Sequence, residues 1–568
     1  MKITGAEVIA RALLANGVTQ VFNVPGFGIH PLIQALKKHR SEFSYNTAPN
    51  ETAVALMADG YGRVTGKPAF VNVYHASGTA LAMMGVTTAW ADRSPMLFTT
   101  TTTSRRLERS DGYASVPRDI TEATRQFTKW DWEVPSVDRI PEAIARAVIL
   151  SRMPPMGPVH LAFPLDLYTE EVEESIIDEM LMARPDRLNI FNATVADPAG
   201  IEAAARLLMS AKTPVIVSGG DVAQHDAVDE LVTIAELLDA PVFGEPYVAY
   251  MGFPNTHRLF AGRFSGNSTL LKEADVVFVV GAELTGGSGA PLLPPAHAKV
   301  IFLTTDAMNF AKQIWADVGL VGHPKSSLHA LLRALKEAGK PPQKPQWVSK
   351  SKTYIEAYRE RLAVEINDAG KPEGPVRLPV LIKEIANTFG DDAIFLDHST
   401  TGTAYILDMA EFANPRRYFG ISARASAQGW GTPAAIGMQI GAPDKRVVAV
   451  VGDGGFMFTS TTLYAAAQWA TPVVIVVLSN GGWHDVAYGA KKNRGWTEQD
   501  VKDFGWVCEP QIDYAGLAKS LGIRSYRADT TAELQKALVA ARDGVGPSVI
   551  EMKSDPEATA YYLSFIAA

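Results

Sequence analysis

Apolar residues along this chain fall into short unbroken runs that end in glycine, and between the runs they are spaced as on one face of a helix. Ala6-Glu7-Val8-Ile9-Ala10-Arg11-Ala12-Leu13-Leu14 reads as a helix stopped by Gly17, and Gln20-Val21-Phe22-Asn23-Val24 as a short strand turning at Pro25-Gly26. Strand then helix recurs through Ala69-Phe70-Val71-Asn72-Val73 and Gly78-Thr79-Ala80. Further on, Pro214-Val215-Ile216-Val217 and Ala274-Asp275-Val276-Val277-Phe278-Val279-Val280 each run into glycine, and Val447 to Val451 and Val473 to Leu478 repeat the pattern. Strands apolar at successive positions are covered on both faces, as in a parallel sheet flanked by helices. The expected fold class is therefore α/β, with three doubly wound parallel-sheet domains at residues 1–170, 195–335 and 376–568. Between them lie an acid-rich link from Tyr168 to about Thr194, and a second link from Lys336 to about Val376 that holds Pro341-Pro342-Gln343-Lys344-Pro345 and a charged helical stretch.

Composition narrows the class without naming a reaction. The chain has 568 residues, enough for three or four cores, and a net charge of −8 with 47% hydrophobic residues. No basic excess is present to attract nucleic acid or an anionic membrane, so neither is an expected partner. Cys508 is the single cysteine, which excludes an intrachain disulfide and a thiolate cluster, and it is expected as a small buried hydrophobe. The amino terminus lacks the apolar core of a signal peptide and no run reaches transmembrane length, so the expected location is cytoplasmic.

Candidate chemistry sits at the ends of two runs. Gly452-Asp453-Gly454 closes the first, and Ser479-Asn480-Gly481-Gly482 closes the second about 25 residues later. Parallel strands joined by a helix place these ends on one sheet edge, where α/β proteins bind ligands. The Asp453 carboxylate, the Asn480 amide oxygen and the Gly482 carbonyl are hard ligands, and with two phosphate oxygens and a water they complete an octahedron around Mg²⁺. Gly454 and Gly455 let the backbone approach a phosphate. Taken alone, Gly-Asp-Gly reads equally as a tight turn after a buried strand.

With Asn480 at this interval the chain resembles the thiamine-diphosphate enzymes. Asn50-Glu51-Thr52-Ala53-Val54-Ala55-Leu56-Met57-Ala58-Asp59-Gly60 is similar to the segment in which those enzymes carry the glutamate that protonates the aminopyrimidine ring nitrogen. By that resemblance Glu51 is catalytic and cofactor-binding, and general base and nucleophile belong to the cofactor. Without it, Glu51 is a first-turn carboxylate favoured by the helix dipole. The block order resembles the pyrimidine, middle and diphosphate domains of the pyruvate-oxidase-like decarboxylases. It implies thiamine diphosphate and Mg²⁺ as cofactors and a homodimer at minimum, with a homotetramer common in the family.

Within the family, Lys67 to Val73, Thr128-Lys129-Trp130, Ser399-Thr400-Thr401 and Thr432 to Gly437 look most like benzoylformate decarboxylase. The resemblance implies that Thr400 and Thr401 bind diphosphate, that the Ser426 carbonyl holds the cofactor's amino group, and that Gly452, Gly482, Trp483 and His484 complete the contacts. The implied reaction is non-oxidative decarboxylation of a 2-oxo acid. The alternatives are an acetolactate-synthase-like carboligase taking an aldehyde, a lyase for 2-hydroxy ketones or 2-hydroxyacyl-CoA, and a flavin-bearing redox relative.

Departures cluster where substrate would sit. Phe27 replaces a serine that contacts the substrate carboxylate. Tyr74 aligns with the first catalytic histidine, displacing His75 by one position, and Ala282-Glu283-Leu284-Thr285-Gly286-Gly287 has no counterpart to the second. The apolar wedge beneath the cofactor falls at Gln428. Substitute acid–base groups are His75 first, then His484, with His398 and Asp485 also at predicted strand ends; Arg424 reads as a carboxylate clamp or as one half of an ion pair. The aromatic carboxyl-terminal tail past Asp555 reads either as a lid over the mouth of the site or as a helix packed on the surface.

Overall fold

The computed structural model describes residues 1–26, 28–105, 117–177, 193–265, 268–284, 293–312, 314–369, 376–422, 424–425 and 427–554. Three six-stranded sheets, parallel throughout, form the cores of three α/β domains. In the first, the strands Gln20–Asn23, Ser44–Thr47, Phe70–Tyr74, Met96–Thr102, Asp131–Glu133 and Pro158–Pro164, numbered in chain order, lie side by side as 2-1-3-4-6-5. The third sheet repeats that order with Ile394–His398, Tyr418–Phe419, Val447–Gly452, Val474–Ser479, Arg524–Ala528 and Ser548–Lys553. The middle sheet differs: Pro214–Ser218, Val242–Gly244, Phe260–Arg263, Val276–Val280, Lys299–Thr304 and Val318–Val321 are ordered 3-2-1-4-5-6. The central apolar runs are buried at every position from Val447 to Val451 and from Val474 to Leu478, as two-sided helix cover requires.

Both links carry structure of their own. The acid-rich link begins with the strand Glu171–Glu173, which pairs antiparallel with Lys2–Thr4 at the amino terminus. The second contains the helix Pro345–Ala369. It clasps the middle domain through Trp347, whose Nε1 donates to Pro214 O at 3.2 Å, and reaches the third domain through the Tyr358 hydroxyl, 3.0 Å from Asp408 Oδ1. Among the described residues no helix is long and apolar enough to cross a membrane.

The first and third domains are welded by a helix crossing. Glu51–Thr65 lies against Gly431–Gly441 so closely that a Cβ on Gly437 would stand 1.8 Å from Met57 O, and one on Gly60 2.1 Å from Ala434 O. Beside the crossing, Arg63 is fully enclosed: Nε pairs with Asp59 at 2.8 Å, Nη2 with Asp92 at 2.7 Å, and Nη1 donates to Gly420 O at 2.8 Å. Its guanidinium lies 4.5 Å from the Trp430 ring centroid, and Trp430 Nε1 donates to Asp59 at 2.7 Å. Such a group is stable only while every partner is present.

Candidate functional site

At the carboxyl edge of the third sheet, the strands ending at His398, Gly452 and Ser479 lie side by side, with the point where strand order reverses between the first two. Asp453 opens the helix Asp453–Thr459 and is buried. Its Oδ1 accepts from Gly454 N at 2.8 Å, and its Oδ2 from Asn480 N at 3.1 Å and Gly481 N at 2.9 Å. Burial nevertheless pushes its pKa up to about 6, against the pull of those amides. A buried carboxyl held by backbone amides has the chemistry of a cation ligand.

The other donors of that set converge beside it. Asn480 Oδ1 accepts from Gly482 N at 3.3 Å, and Gly481 takes φ 87°, which glycine adopts without strain. Gly482 bridges Val507, yet the two ladder bonds run from Trp483 N to Trp506 O and from Cys508 N to Gly481 O, so the Gly482 carbonyl takes no part in them. Among the described residues no three His, Cys, Asp or Glu side chains gather to hold a metal. A cation here would rely on one carboxylate with amide and carbonyl oxygens, which hard divalent ions accept.

Glycines keep the crevice open. A Cβ on Gly454 would stand 3.2 Å from Trp483 Nε1, and one on Gly455 3.4 Å from His398 Cε1 and 3.8 Å from Gln428 Oε1. A Cβ on Gly452 would stand 3.4 Å from Ser399 O across the crevice. Thr400 is held at φ 54°, an unfavourable conformation for a branched residue, and Thr401 is buried with its hydroxyl 3.4 Å from Ser399 O. His398 is buried and kept neutral, its pKa driven down to about 4 by burial, and its Nδ1 accepts from Gly431 N at 3.3 Å. Gln428 is exposed toward the same crevice. Half-buried His484 begins the helix His484–Arg494; burial lowers its pKa and raises that of Asp485 beside it. Ser426 lies outside the described residues.

The first sheet presents the corresponding edge. Asn50 caps the helix Glu51–Thr65, its side chain accepting from Ala53 N at 2.9 Å, and Glu51 follows as the first helical residue. A Cβ on Gly78 would stand 3.1 Å from Glu51 Oε1, so Glu51 lies against the first turn of the helix His75–Ala91. His75 directly follows the end of the strand Phe70–Tyr74 and opens that helix, buried and at φ 63°, with its pKa lowered by burial. Strain of this kind, held by surrounding structure, is a mark of functional positions. Phe27 and the tail past Asp555 lie outside the described residues.

Among the described residues no hydrogen bond or ion pair joins Glu51 to Asp453 or Asn480, and the contacts between the two domains near Glu51 fall elsewhere. Trp469 Nε1 donates to Thr47 O at 3.3 Å and Asn50 Nδ2 to Thr461 Oγ1 at 3.4 Å. Trp469 leads into the amino end of the strand Val474–Ser479, whereas Asn480 follows its carboxyl end, about 20 Å away for a strand of this length.

Other assigned residues have different neighbours. Arg424 is paired with Glu283, which also binds Arg93 at 2.8 Å, so the ion-pair reading of Arg424 holds. Cys508 is half-buried rather than buried, and burial, then the charge of Asp453, raises its thiol pKa. Arg118, a loop arginine carrying no motif, lines a cavity with His75.

Three family models for thiamine pyrophosphate enzymes match the chain in order: the N-terminal binding domain over residues 3–125, the central domain over 201–331 and the C-terminal binding domain over 400–552. The chain is a thiamine pyrophosphate enzyme. It is 30% identical to a benzoylformate decarboxylase of Pseudomonas aeruginosa over 95% of this chain and 97% of that one. It is 25% identical to the acetolactate synthase large subunit of Haemophilus influenzae over 94% of this chain and 92% of the relative. Among solved structures, the thiamine diphosphate-dependent 4-hydroxybenzoylformate decarboxylase of Rhodococcus jostii superposes with a TM-score of 0.83 at 26% identity, covering 97% of this chain and 99% of that one. Thiamine diphosphate is thus the cofactor for which this thiamine pyrophosphate enzyme has binding domains, and it belongs among decarboxylases and acetolactate-synthase-like enzymes.

Proposed function

We propose that this enzyme uses thiamine diphosphate and Mg²⁺ to decarboxylate a 2-oxo acid without oxidation. The observation that carries the reading is the Asp453 carboxyl, buried, bound by the amides of Gly454, Asn480 and Gly481, and raised to a pKa of about 6. Asp453, Asn480 and the Gly482 carbonyl would hold Mg²⁺, with Gly452, Gly454, Gly455, Thr400 and Thr401 around the diphosphate. Ser426 would accept from the aminopyrimidine amino group, and Trp483 and His484 would close the side of the cleft.

Glu51 would share its proton with the pyrimidine ring nitrogen. Because its edge lies remote from Asp453 in the same chain, the complete site takes one edge from each of two subunits: a homodimer at minimum, with a homotetramer as the expected assembly. When bound, thiamine diphosphate supplies the nucleophilic carbon and the electron sink that make loss of CO₂ feasible. His75 would move a proton at the substrate's carbonyl oxygen, His484 would act from the opposite side, and the Gln428 amide would face the reacting carbon. The acetolactate synthase relative favours a second reading, in which the acyl residue left after CO₂ loss passes to an aldehyde.

Product analysis from one accepted 2-oxo acid, with and without an acceptor aldehyde, separates the two. Free aldehyde in both cases supports the decarboxylase, and a 2-hydroxy ketone formed only with the acceptor supports the carboligase.

A further inference from the structure

We infer that the first-sheet edge holds a subsite for a second anionic group on the substrate, anchored by Arg118, which makes the preferred substrate a 2-oxo acid with a distal carboxylate or equivalent anion. The inference rests on the decarboxylase reading above and adds the substrate class.

The cavity beside His75 is open to solvent, and His75, Thr102, Thr103, Arg105, Arg118 and Glu133 bring polar groups to its wall. Among the described residues the apolar lining comes from Pro117 and Ile120. An aryl group selects the opposite composition, an apolar and aromatic wall with few polar atoms. The threonine hydroxyls and the imidazole can each bond an oxygen.

Charge decides between a hydroxylated and an anionic group. Arg105 is already committed: its Nε donates to Asp166 Oδ2 at 2.8 Å, its backbone N to Asp166 Oδ1 at 3.0 Å, and its guanidinium also pairs with Glu170. Glu133 is exposed at the rim and engaged with a partner of its own. Arg118 has neither a hydrogen bond nor an ion pair among the described residues, and it stands at the cavity mouth with its fork of donors unspent. A guanidinium so placed binds a carboxylate in bidentate fashion. His75 lines the same cavity, so a 2-oxo acid lying in it would direct its reacting end toward His75 and its distal anion toward Arg118.

Two matched pairs of probes test this: glutarate against valerate for binding, and 2-oxoglutarate against 2-oxopentanoate for turnover, each pair differing only in a terminal carboxylate. Calorimetric titration of the full-length protein should give glutarate at least about tenfold tighter binding than valerate, and Arg118→Gln should erase that difference while Arg118→Lys keeps part of it. In turnover, the ratio of kcat/KM for the two oxo acids should fall about 10- to 100-fold in Arg118→Gln. Equal affinity for glutarate and valerate, or an unchanged ratio in the variant, overturns the subsite. If neither oxo acid loses CO₂ while glutarate still outbinds valerate through Arg118, the subsite stands and the decarboxylase reading falls.

Discussion

The first and third sheets carry six parallel strands in the same order and open the same carboxyl edge, yet they build those edges from different materials. On the third, Asp453 is fixed by three backbone amides, and glycines at 454 and 455 leave room that a Cβ would fill. On the first, Glu51, His75 and Arg118 are side chains from three separate segments, and His75 is held at φ 63°. Diphosphate and a hard cation can be bound by amides and carbonyls, which any chain supplies once the glycines are placed. A substrate must be recognised by side chains, and those come from loops that diverge.

The largest expected effect tests the backbone-built edge. Asp453→Ala removes the only carboxylate in the proposed cation set, and thiamine-dependent activity should disappear together with Mg²⁺-dependent cofactor binding in a fluorescence titration. Retained binding would place the cation elsewhere. On the opposite edge Glu51→Gln keeps the shape and loses the proton: kcat should drop about 10²- to 10⁴-fold while cofactor affinity changes far less. An equal loss of both would make Glu51 a structural cap rather than a proton donor.

The connection between the two domains is tested next. Arg63→Met leaves Asp59 and Asp92 buried without their cation and should cost about 3–5 kcal/mol in urea unfolding. A loss near that of an exposed ion pair would mean that the helix crossing at Gly437 carries the contact by itself.

The edge of the middle sheet offers a smaller, pH-dependent contrast. There Arg93 binds Asp221 and Glu283, Arg424 binds Glu283, and Glu245 accepts from the amides of Glu283 and Leu284 at 2.7 and 2.9 Å. Burial first, and then the charge of Glu283, pushes Glu245 up to about 8. With a folded pKa above the unfolded value near 4.5, the folded state holds the extra proton. Stability from this group is thus complete below about 4.5 and is lost toward pH 8, by about 1.4 kcal/mol per pH unit. Glu245→Gln should flatten that part of the melting-temperature profile; a variant that keeps the wild-type slope assigns the slope to other groups.

Much of this architecture is legible in the chain itself. Unbroken apolar runs ending in glycine reveal buried parallel strands, and two such runs about 25 residues apart are enough to bring Asp453 and Asn480 together. Short-range pattern carries no trace of what depends on distant contacts. Lys2–Thr4 is a strand only because Glu171–Glu173, far along the chain in a stretch that reads as a polar link, pairs with it. His75 follows the strand end, but its left-handed φ of 63° and the helix it opens are invisible in residue type. Arg424 meets Glu283 through tertiary placement alone, and Arg118, an ordinary loop arginine in sequence, gains meaning only from the cavity it borders.

The central claim is best tested by CO₂ release from aromatic, branched, short and dicarboxylic 2-oxo acids, using protein stripped of cofactor and then reconstituted. Release from at least one class, requiring both thiamine diphosphate and Mg²⁺, is the predicted result. Confirmed cofactor binding without CO₂ release from any acid in the panel would contradict it.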